Sequence, residues 1–247
     1  MRLPVKFIRK IIQIFFIVIL LLPIWYVDLF WYGTYISADL LGVALTDPLT
    51  ALEITLAGRS LWMPLLLSAL PLTVTAILGG RLFCGYVCPL NFLLELLPVR
   101  RKKNLQEKRL PLLALGITLI LSLLISLPVF NTVSPVFALM RMLLFGVGLE
   151  MVLLLLVLAA ALVWGQKIWC RTLCPLGALY GLLGSKRIFA VQVDARKCTH
   201  CGKCAAVCSM GTAPGKCSWE DNMLCTNCGD CIDVCKEGAV RFTAKGR

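Results

Sequence analysis

"RLFCGYVCPLNFLLELL" occupies Arg81–Leu97, and "KIWCRTLCPLGALYGLL" occupies Lys167–Leu183. Each copy is a Cys-x-x-x-Cys-Pro element hung on the end of a long apolar run and followed by a short apolar helix. Cys84 and Cys170 stand 86 positions apart. Upstream, "TDPLTALEITLAG" (Thr46–Gly58) matches "VSPVFALMRMLLFG" (Val133–Gly146), and Pro48 and Pro135 stand 87 positions apart. The chain is therefore an internal duplication with an offset of one. Each half reads as helix, loop with a Pro-started amphipathic helix, helix, Cys-x-x-x-Cys-Pro and short helix.

With 59% hydrophobic residues and a mean hydropathy of +0.86, the chain has the composition of a bilayer protein. Four stretches approach the roughly 20 apolar residues that a span requires: Ile11–Leu29, Leu61–Gly80, Pro111–Phe130 and Gly148–Trp164. The expected fold is an α-helical membrane protein with four transmembrane helices, arranged as two parallel two-helix repeats about a pseudo-twofold axis along the membrane normal. A basic start (Arg2, Lys6, Arg9, Lys10) before an apolar run also suits a signal peptide, but the run is too long for one and no small-residue cleavage site follows. It reads as an uncleaved first helix. Trp25, Tyr26, Trp31, Tyr32 and Trp62 at outer ends, and Trp164 and Trp169 at inner ends, read as interfacial anchors.

The net charge of +12 would suit nucleic acid if it formed one patch, but it follows topology. Seven of the 25 Lys and Arg residues fall in Arg81–Leu110 and twelve after Trp164, with one each in Trp31–Ser60 and Asn131–Glu150. The positive-inside rule then puts both termini and both Cys-x-x-x-Cys-Pro elements in the cytoplasm of a prokaryotic cell, the protein being multi-pass in its inner membrane. Thirteen cysteines on a reducing side point to metal or redox chemistry and away from disulfides.

Residues 1–187 are thus expected to form the four-helix membrane domain, with repeats at about 1–99 and 100–187. Residues 188–247 turn polar, with "KRIFAVQVD" (Lys186–Asp194) reading as a strand. They carry "CTHCGKCAAVC" from Cys198 and "CTNCGDCIDVC" from Cys225. Both are Cys-x2-Cys-x2-Cys-x3-Cys, in which three thiolates hold one cluster and the fourth goes to its neighbour. A small α+β bacterial-type ferredoxin domain follows, with one [4Fe–4S] cluster on Cys198, Cys201, Cys204 and Cys235 and a second on Cys225, Cys228, Cys231 and Cys208. Structural zinc uses paired knuckles and fits this repeated four-Cys run poorly. Ser209 and Lys236 replace the Pro that normally follows the fourth Cys, and Cys217 is left over. His200 is the one histidine, which excludes a bis-histidine haem b, and no Rossmann glycine pattern supports NAD.

Pro89 and Pro175 suit the first turn of a helix, making Cys88 and Cys174 N-caps. The positive helix end and nearby Arg81, Lys167 and Arg171 predict a lowered thiol pKa there. For Cys84, Cys88, Cys170 and Cys174 three readings stay open: a third metal or iron–sulfur site at which all four converge, dithiol redox chemistry, or small apolar residues capping interfacial helices. Arg141 and Glu53, polar residues in the matching loop helices, are candidates for a quinone site, with interfacial anchoring the plainer account.

Taken together, the paired "CGYVCP" and "CRTLCP", four spans and double ferredoxin tail resemble the NapH/MauN family of ferredoxin-type membrane proteins, quinol-dehydrogenase accessory subunits of anaerobic respiration and maturation systems. The resemblance implies electron transfer between the quinol pool and a respiratory reductase or its ferredoxin-like or cytochrome partner. It makes Cys84, Cys88, Cys170 and Cys174 the redox or partner-docking cysteines. A different function fits the same residues: a membrane-tethered reductant that reduces a metal or a disulfide during assembly of a respiratory metalloenzyme.

Overall fold

The computed structural model describes residues 4–21, 31–33, 37–40, 43–97, 108–146, 148–212, 214 and 218–244. The first half runs α1 (Val5–Leu21), β1 (Trp31–Gly33), β2 (Ser37–Leu40), β3 (Val43–Thr46), α2 (Pro48–Gly58), α3 (Met63–Gly79), α4 (Leu82–Tyr86) and α5 (Pro89–Leu96). The second runs α6 (Leu110–Ile125), α7 (Val129–Val133), α8 (Pro135–Phe145), α9 (Glu150–Trp164), α10 (Ile168–Thr172) and α11 (Pro175–Leu183). The tail adds β4 (Phe189–Val193), α12 (Lys203–Val207), α13 (Trp219–Leu224), α14 (Asp230–Asp233) and β5 (Val240–Ala244), with β4 and β5 antiparallel. The antiparallel β1–β2–β3 sheet is an insertion in the first half that the hydropathy pattern did not announce.

The expectation of four transmembrane helices is corrected by the helix ends. Among the described residues no helix is long and apolar enough to cross a membrane. Helices α1 and α3 have 17 residues, α6 has 16 and α9 has 15. At 1.5 Å per residue that is roughly 22–26 Å, against a hydrocarbon thickness of about 30 Å. Helices α3 and α9 fill their apolar runs to within a residue or two and are short because the runs are short, whereas α6 stops before its run does. Helix α3 starts only after Trp62 and ends at Gly80 (φ 69°), α6 ends at Ser126 (φ 57°), and α9 ends at Gly165 (φ 119°). The far part of the Ile11–Leu29 run lies outside the described residues, as do Trp25, Tyr26 and "RRKK" (Arg100–Lys103). The outward faces of the four helices are apolar and exposed, with Phe15, Leu67, Leu124 and Leu156 each more than half accessible.

The two halves interlock by exchanging their last helices. Helix α11, from the second half, packs on α3 and α2 of the first as well as on α6, while α5, from the first half, packs on α8 of the second. One apolar core accordingly mixes Leu49, Ala76 and Phe83 with Cys174, Leu176 and Tyr180. The other mixes Cys88, Leu90 and Leu94 with Val136, Leu154 and Ile168. Trp169 packs against both cores. This crossing brings two cysteine elements 86 positions apart to one interface.

Polar contacts fasten the tail to the helices. The Asn227 side-chain amide donates to the carbonyls of Gly79 and Phe189, each at 3.0 Å. Arg187, buried, donates to the carbonyls of Asn222 and Cys225 at 3.0 and 2.9 Å.

Candidate functional site

Cys84 sits on α4 and Cys170 on α10, while Cys88 and Cys174 are the N-caps of α5 and α11, with Pro89 and Pro175 at the first helical position. The Cys174 sulfur accepts the Gly177 backbone N–H at 3.4 Å. The sequence places proline where a helix needs no N–H and cysteine where a free N–H needs an acceptor. All four cysteines line one cavity, together with Arg81, Asn91, Trp169, Met210 and Thr226. None of the four is in a disulfide.

Burial reverses the expected ionisation. Desolvation pushes Cys88 up to about 11, raises Cys84 and Cys170 well above the ordinary thiol value and raises Cys174, outweighing the helix N–H groups and nearby cations. A thiol in an apolar cleft is hard to ionise unless something in the cleft stabilises the thiolate. Metal coordination is the general way to do so.

The cations at the two elements are treated differently. Arg81 and Lys167 hold the same place in the duplication, three residues before Cys84 and Cys170, and both are about 1% exposed. Lys167 Nζ meets Glu95 at 2.7 Å; Glu95 is also held by Arg9 at 3.0 Å and by the Asn91 amide at 3.2 Å. Burial works against the Lys167 charge, yet Glu95 outweighs it and its pKa rises. Arg81 has no such partner. Its Nη1 donates to the Cys170 carbonyl at 3.2 Å, while Nε and Nη2 are buried without any partner. Burial draws its pKa down, and the groups that work against this are Cys84, Cys174, Cys170 and Cys225.

Helix α11 explains the contrast. In the duplication Asn91 and Glu95 of α5 correspond to Gly177 and Gly181 of α11. A Cβ on Gly177 would stand 3.3 Å from Arg81 Nη1, and one on Gly181 would stand 2.7 Å from Arg81 Nε. Where α5 offers a carboxylate to the opposite cation, α11 offers two glycines, against which the guanidinium packs too closely for a side chain at Gly181.

In the tail, Cys208, Cys225, Cys228 and Cys231 line a second cavity, with Arg187 and Asp230 on its wall. These are the four residues to which the ferredoxin spacing assigns the second cluster. The donor set fits a [4Fe–4S] group: four thiols around one space, with Gly229 (φ 82°) turning the chain between Cys228 and Cys231. Arg9, buried on α1, donates to the Cys228 carbonyl at 2.8 Å and pairs with Asp230 at 3.1 Å. Of the residues assigned to the first cluster, Cys198, Cys204 and Cys235 are half-buried and Cys201 is exposed. Met210 and Thr226 line both cavities, so a single layer of side chains separates the tail site from the four-thiol site. Ser209, in place of the usual Pro, is buried with an unpartnered hydroxyl. Among the described residues no group of three or more His, Cys, Asp or Glu side chains is placed to hold a metal ion. Cys217 lies outside the described residues.

The other sequence-level candidates are accounted for locally. Glu53 is fully buried and accepts the Phe130 N–H at 3.0 Å, so it is no interfacial anchor. Arg141 pairs with Glu150 at 2.7 Å on the surface. Trp169 is a cavity wall and not an anchor. The buried Arg9–Glu95–Lys167 cluster escaped the sequence reading; the signal for it was Glu95, a lone carboxylate in the apolar run "NFLLELL".

A family model described as "4Fe-4S binding domain" matches the chain twice, at residues 61–106 and 147–192. The two matches cover the two Cys-x-x-x-Cys-Pro elements and are displaced by the same 86 positions as Cys84 and Cys170. The ferredoxin-type protein NapH of Escherichia coli is 34% identical over 81% of this chain and 73% of its own length. The methylamine utilization ferredoxin-type protein MauN of Methylobacillus flagellatus is 32% identical over 81% and 74%. MauN of Paracoccus denitrificans is 36% identical over 71% of this chain, which spans 65% of that relative. No solved structure matches.

Proposed function

Because the chain belongs to the NapH/MauN group of ferredoxin-type 4Fe–4S proteins, we propose that it carries single electrons between the membrane quinol pool and a ferredoxin-like or cytochrome partner of a respiratory reductase. The observation that carries this reading is the wall shared by the two cysteine-lined cavities, Met210 and Thr226. It sets a four-thiol site in the tail directly beside a four-thiol site among the helices. Two [4Fe–4S] clusters in the tail would be held by Cys198, Cys201, Cys204 and Cys235, and by Cys225, Cys228, Cys231 and Cys208. Such clusters supply one-electron redox chemistry when bound. Arg187, donating to the carbonyl of Cys225, places positive charge beside the inner cluster and favours its reduced state, while Arg9, which donates to the Cys228 carbonyl, is itself neutralised by Glu95 and Asp230. Exposed Cys201 puts the outer cluster where a soluble partner can approach.

Quinol entry is supported by an apolar cavity of ≈ 380 Å³ lined by Leu153, Leu156, Val157, Ala160, Trp164 and Trp169. Trp169 also lines the four-thiol cavity, and its indole Nε1 is buried without a partner. The exposed apolar faces of α1, α3, α6 and α9 suit contact with lipid at the prokaryotic cell membrane, with the cysteine-rich side toward the cytoplasm. Disulfide exchange with a maturation client is disfavoured by burial: Cys88 and Cys174 are each 8% exposed, too closed for an incoming sulfur.

The test is anaerobic. The full chain, cluster-loaded in lipid vesicles, is oxidised and mixed with menaquinol, and cluster reduction is followed by EPR. Reduction that a quinone-site inhibitor blocks supports the reading. Clusters that dithionite reduces and quinol does not would overturn it.

A further inference from the structure

We propose that the face of the tail around exposed Cys201 is a docking surface for an acidic one-electron carrier protein, with Lys203 at its centre. The proposal rests on the electron-transfer reading and names the chemistry of the partner at its outer end.

The tail's own internal repeat shows what this face can do. The runs "CTHCGKCAAVC" and "CTNCGDCIDVC" start 27 positions apart and share one backbone conformation. His200 and Asn227 are both left-handed, at φ 54° and 52°, and Gly202 and Gly229 follow at φ 73° and 82°, each capping a short helix, α12 or α14. The two runs therefore present equivalent faces. At the inner run that face is covered by the basic start of α1. Asp233 accepts the Val5 and Lys6 backbone N–H groups, each at 2.8 Å, and Asp230 pairs with Arg9 at 3.1 Å. Val5 lies so closely over Gly229 that a Cβ on the glycine would stand 2.3 Å from it. Two carboxylates and a bare glycine thus seat a cationic peptide on one cluster loop.

At the outer run the corresponding residues are Ala206, Lys203 and Gly202, all exposed. A Cβ on Gly202 would meet nothing within 4 Å. The charge has changed sign: where Asp230 receives a guanidinium, Lys203 offers an ammonium, and alanine stands in the place of Asp233. Exposed Arg196 and Lys197 precede Cys198, and exposed Lys236 follows Cys235. Among the described residues none of these four cations has an ion pair. The tail's carboxylates are engaged elsewhere, Asp194 by Arg241, Glu220 by Arg109, Asp221 by Lys108 and Asp230 by Arg9. Glu237, next to Lys236, is an exposed exception.

An uncompensated set of cations attracts an anionic surface and speeds its encounter. Electron-transfer contacts are among the smallest protein interfaces, so charge steering suits them better than buried area. The open backbone at Gly202 lets a partner come close to Cys201. An anionic lipid surface would feel the same charges, but this face lies over a cluster ligand and a headgroup layer accepts no electron. On docking one electron crosses: the outer cluster is oxidised by one, the partner's own redox centre is reduced by one, and no bond or proton has to move.

The probe is cytochrome c in two forms, native and basic, or acidic after succinylation of its lysines, which offers one haem with either sign of charge. The full chain, cluster-loaded in phosphatidylcholine nanodiscs, is reduced with dithionite and mixed with each form by stopped flow. The acidic form should be reduced on the order of ten times faster at low ionic strength. That advantage should vanish near about 1 M salt, where the Debye length is about 3 Å. Lys203→Glu should remove most of it while the EPR signals of the tail clusters stay unchanged, and Lys236→Glu, beside a different ligand, should act in the same direction. A faster native form, a preference that salt does not weaken, or one that survives both substitutions would overturn the proposal. Binding to phosphatidylglycerol vesicles that Lys203→Glu abolishes, with no preference between the two cytochrome forms, would overturn it in favour of lipid. Equal rates with both forms would sink the docking surface and leave the electron-transfer reading standing. A clear preference for the acidic form, in a chain whose clusters quinol fails to reduce, would do the reverse.

Discussion

The two Cys-x-x-x-Cys-Pro elements are built alike and finished differently. Both place a cysteine on a short helix, a second at the N-cap of the next and a proline after it, and both bring a cation three residues upstream. Yet Lys167 is neutralised by Glu95 from the other half, whereas Arg81 meets two glycines from the other half. Duplication supplied the symmetric scaffold. Departure from symmetry at α5 and α11 decides which cation a carboxylate pairs with and which it does not. The N-caps of the loop helices diverge in the same way. Buried Asp47 caps α2, accepting the Leu49 and Thr50 N–H groups and the Tyr180 hydroxyl, while its counterpart Ser134 is buried with an unpartnered hydroxyl.

The contrast breaks most visibly at Glu95. Glu95→Ala strands Arg9 and Lys167 together in the interior, and should cost about 3–5 kcal/mol, as for removal of one partner of a buried pair. Urea unfolding of the loaded protein in detergent would measure it, and a loss below 1 kcal/mol would mean that the network is not structural. Arg81→Met is the opposite case, because it removes a buried charge that no carboxylate pairs with and whose one hydrogen bond goes to the Cys170 carbonyl. In cluster-free protein it should raise stability by about 1–4 kcal/mol, the range seen when buried ions are replaced by apolar side chains. A destabilised cluster-free variant would show that the hydrogen bond to the Cys170 carbonyl outweighs the cost of burying the charge.

Restoring bulk to α11 tests the space left for Arg81. A Cβ on Gly181 would stand 2.3 Å from the Met223 carbonyl oxygen as well as close to Arg81. Gly181→Ala should therefore destabilise by about 1–3 kcal/mol through overpacking. Gly116→Ala, in α6 with nothing within 4 Å of the new Cβ, should instead stabilise by about 0.5–1 kcal/mol through helix propensity. Thermal unfolding of the two variants should move in opposite directions.

The smallest effect concerns Asp47. Burial raises its pKa from 3.8 to about 6, with the Tyr180 and backbone hydrogen bonds pulling the other way. The folded state therefore binds more protons than the unfolded state between these values, and this group's contribution to stability falls as pH rises from about 4 to about 6. Asp47→Asn should flatten that slope in a pH series of melting temperatures, since it removes the titration and keeps an acceptor for the helix N-terminus. An unchanged slope would place the titration elsewhere.

Much of the site was legible because its signals are local. The two ferredoxin runs, the paired Cys-x-x-x-Cys-Pro elements and the Pro89 and Pro175 starts depend on spacing within a turn or two of chain, and short-range geometry dictates them. The helix ends were not legible in the same way. Apolar composition continues to Phe130, but a positive φ at Ser126 stops α6 after Ile125. The thiol pKa values went the wrong way because the helix N-terminus and the nearby cations could be read from sequence, while the depth of burial could not.

What the sequence determined by itself was therefore the chemistry: a duplicated four-cysteine frame, eight cysteines at cluster spacing, and the ferredoxin-type family they belong to. Only the tertiary structure decided how those parts are wired. The exchange of α5 and α11 between the halves sets Glu95 against Lys167 across 72 positions of chain and leaves Arg81 on the wall of the cavity that the four cysteines line. The physical reason is that a charge's partner is fixed by which surfaces pack together and exclude water, a property of the whole fold, whereas the ligand-forming power of a cysteine run is fixed by the reach of a few peptide units.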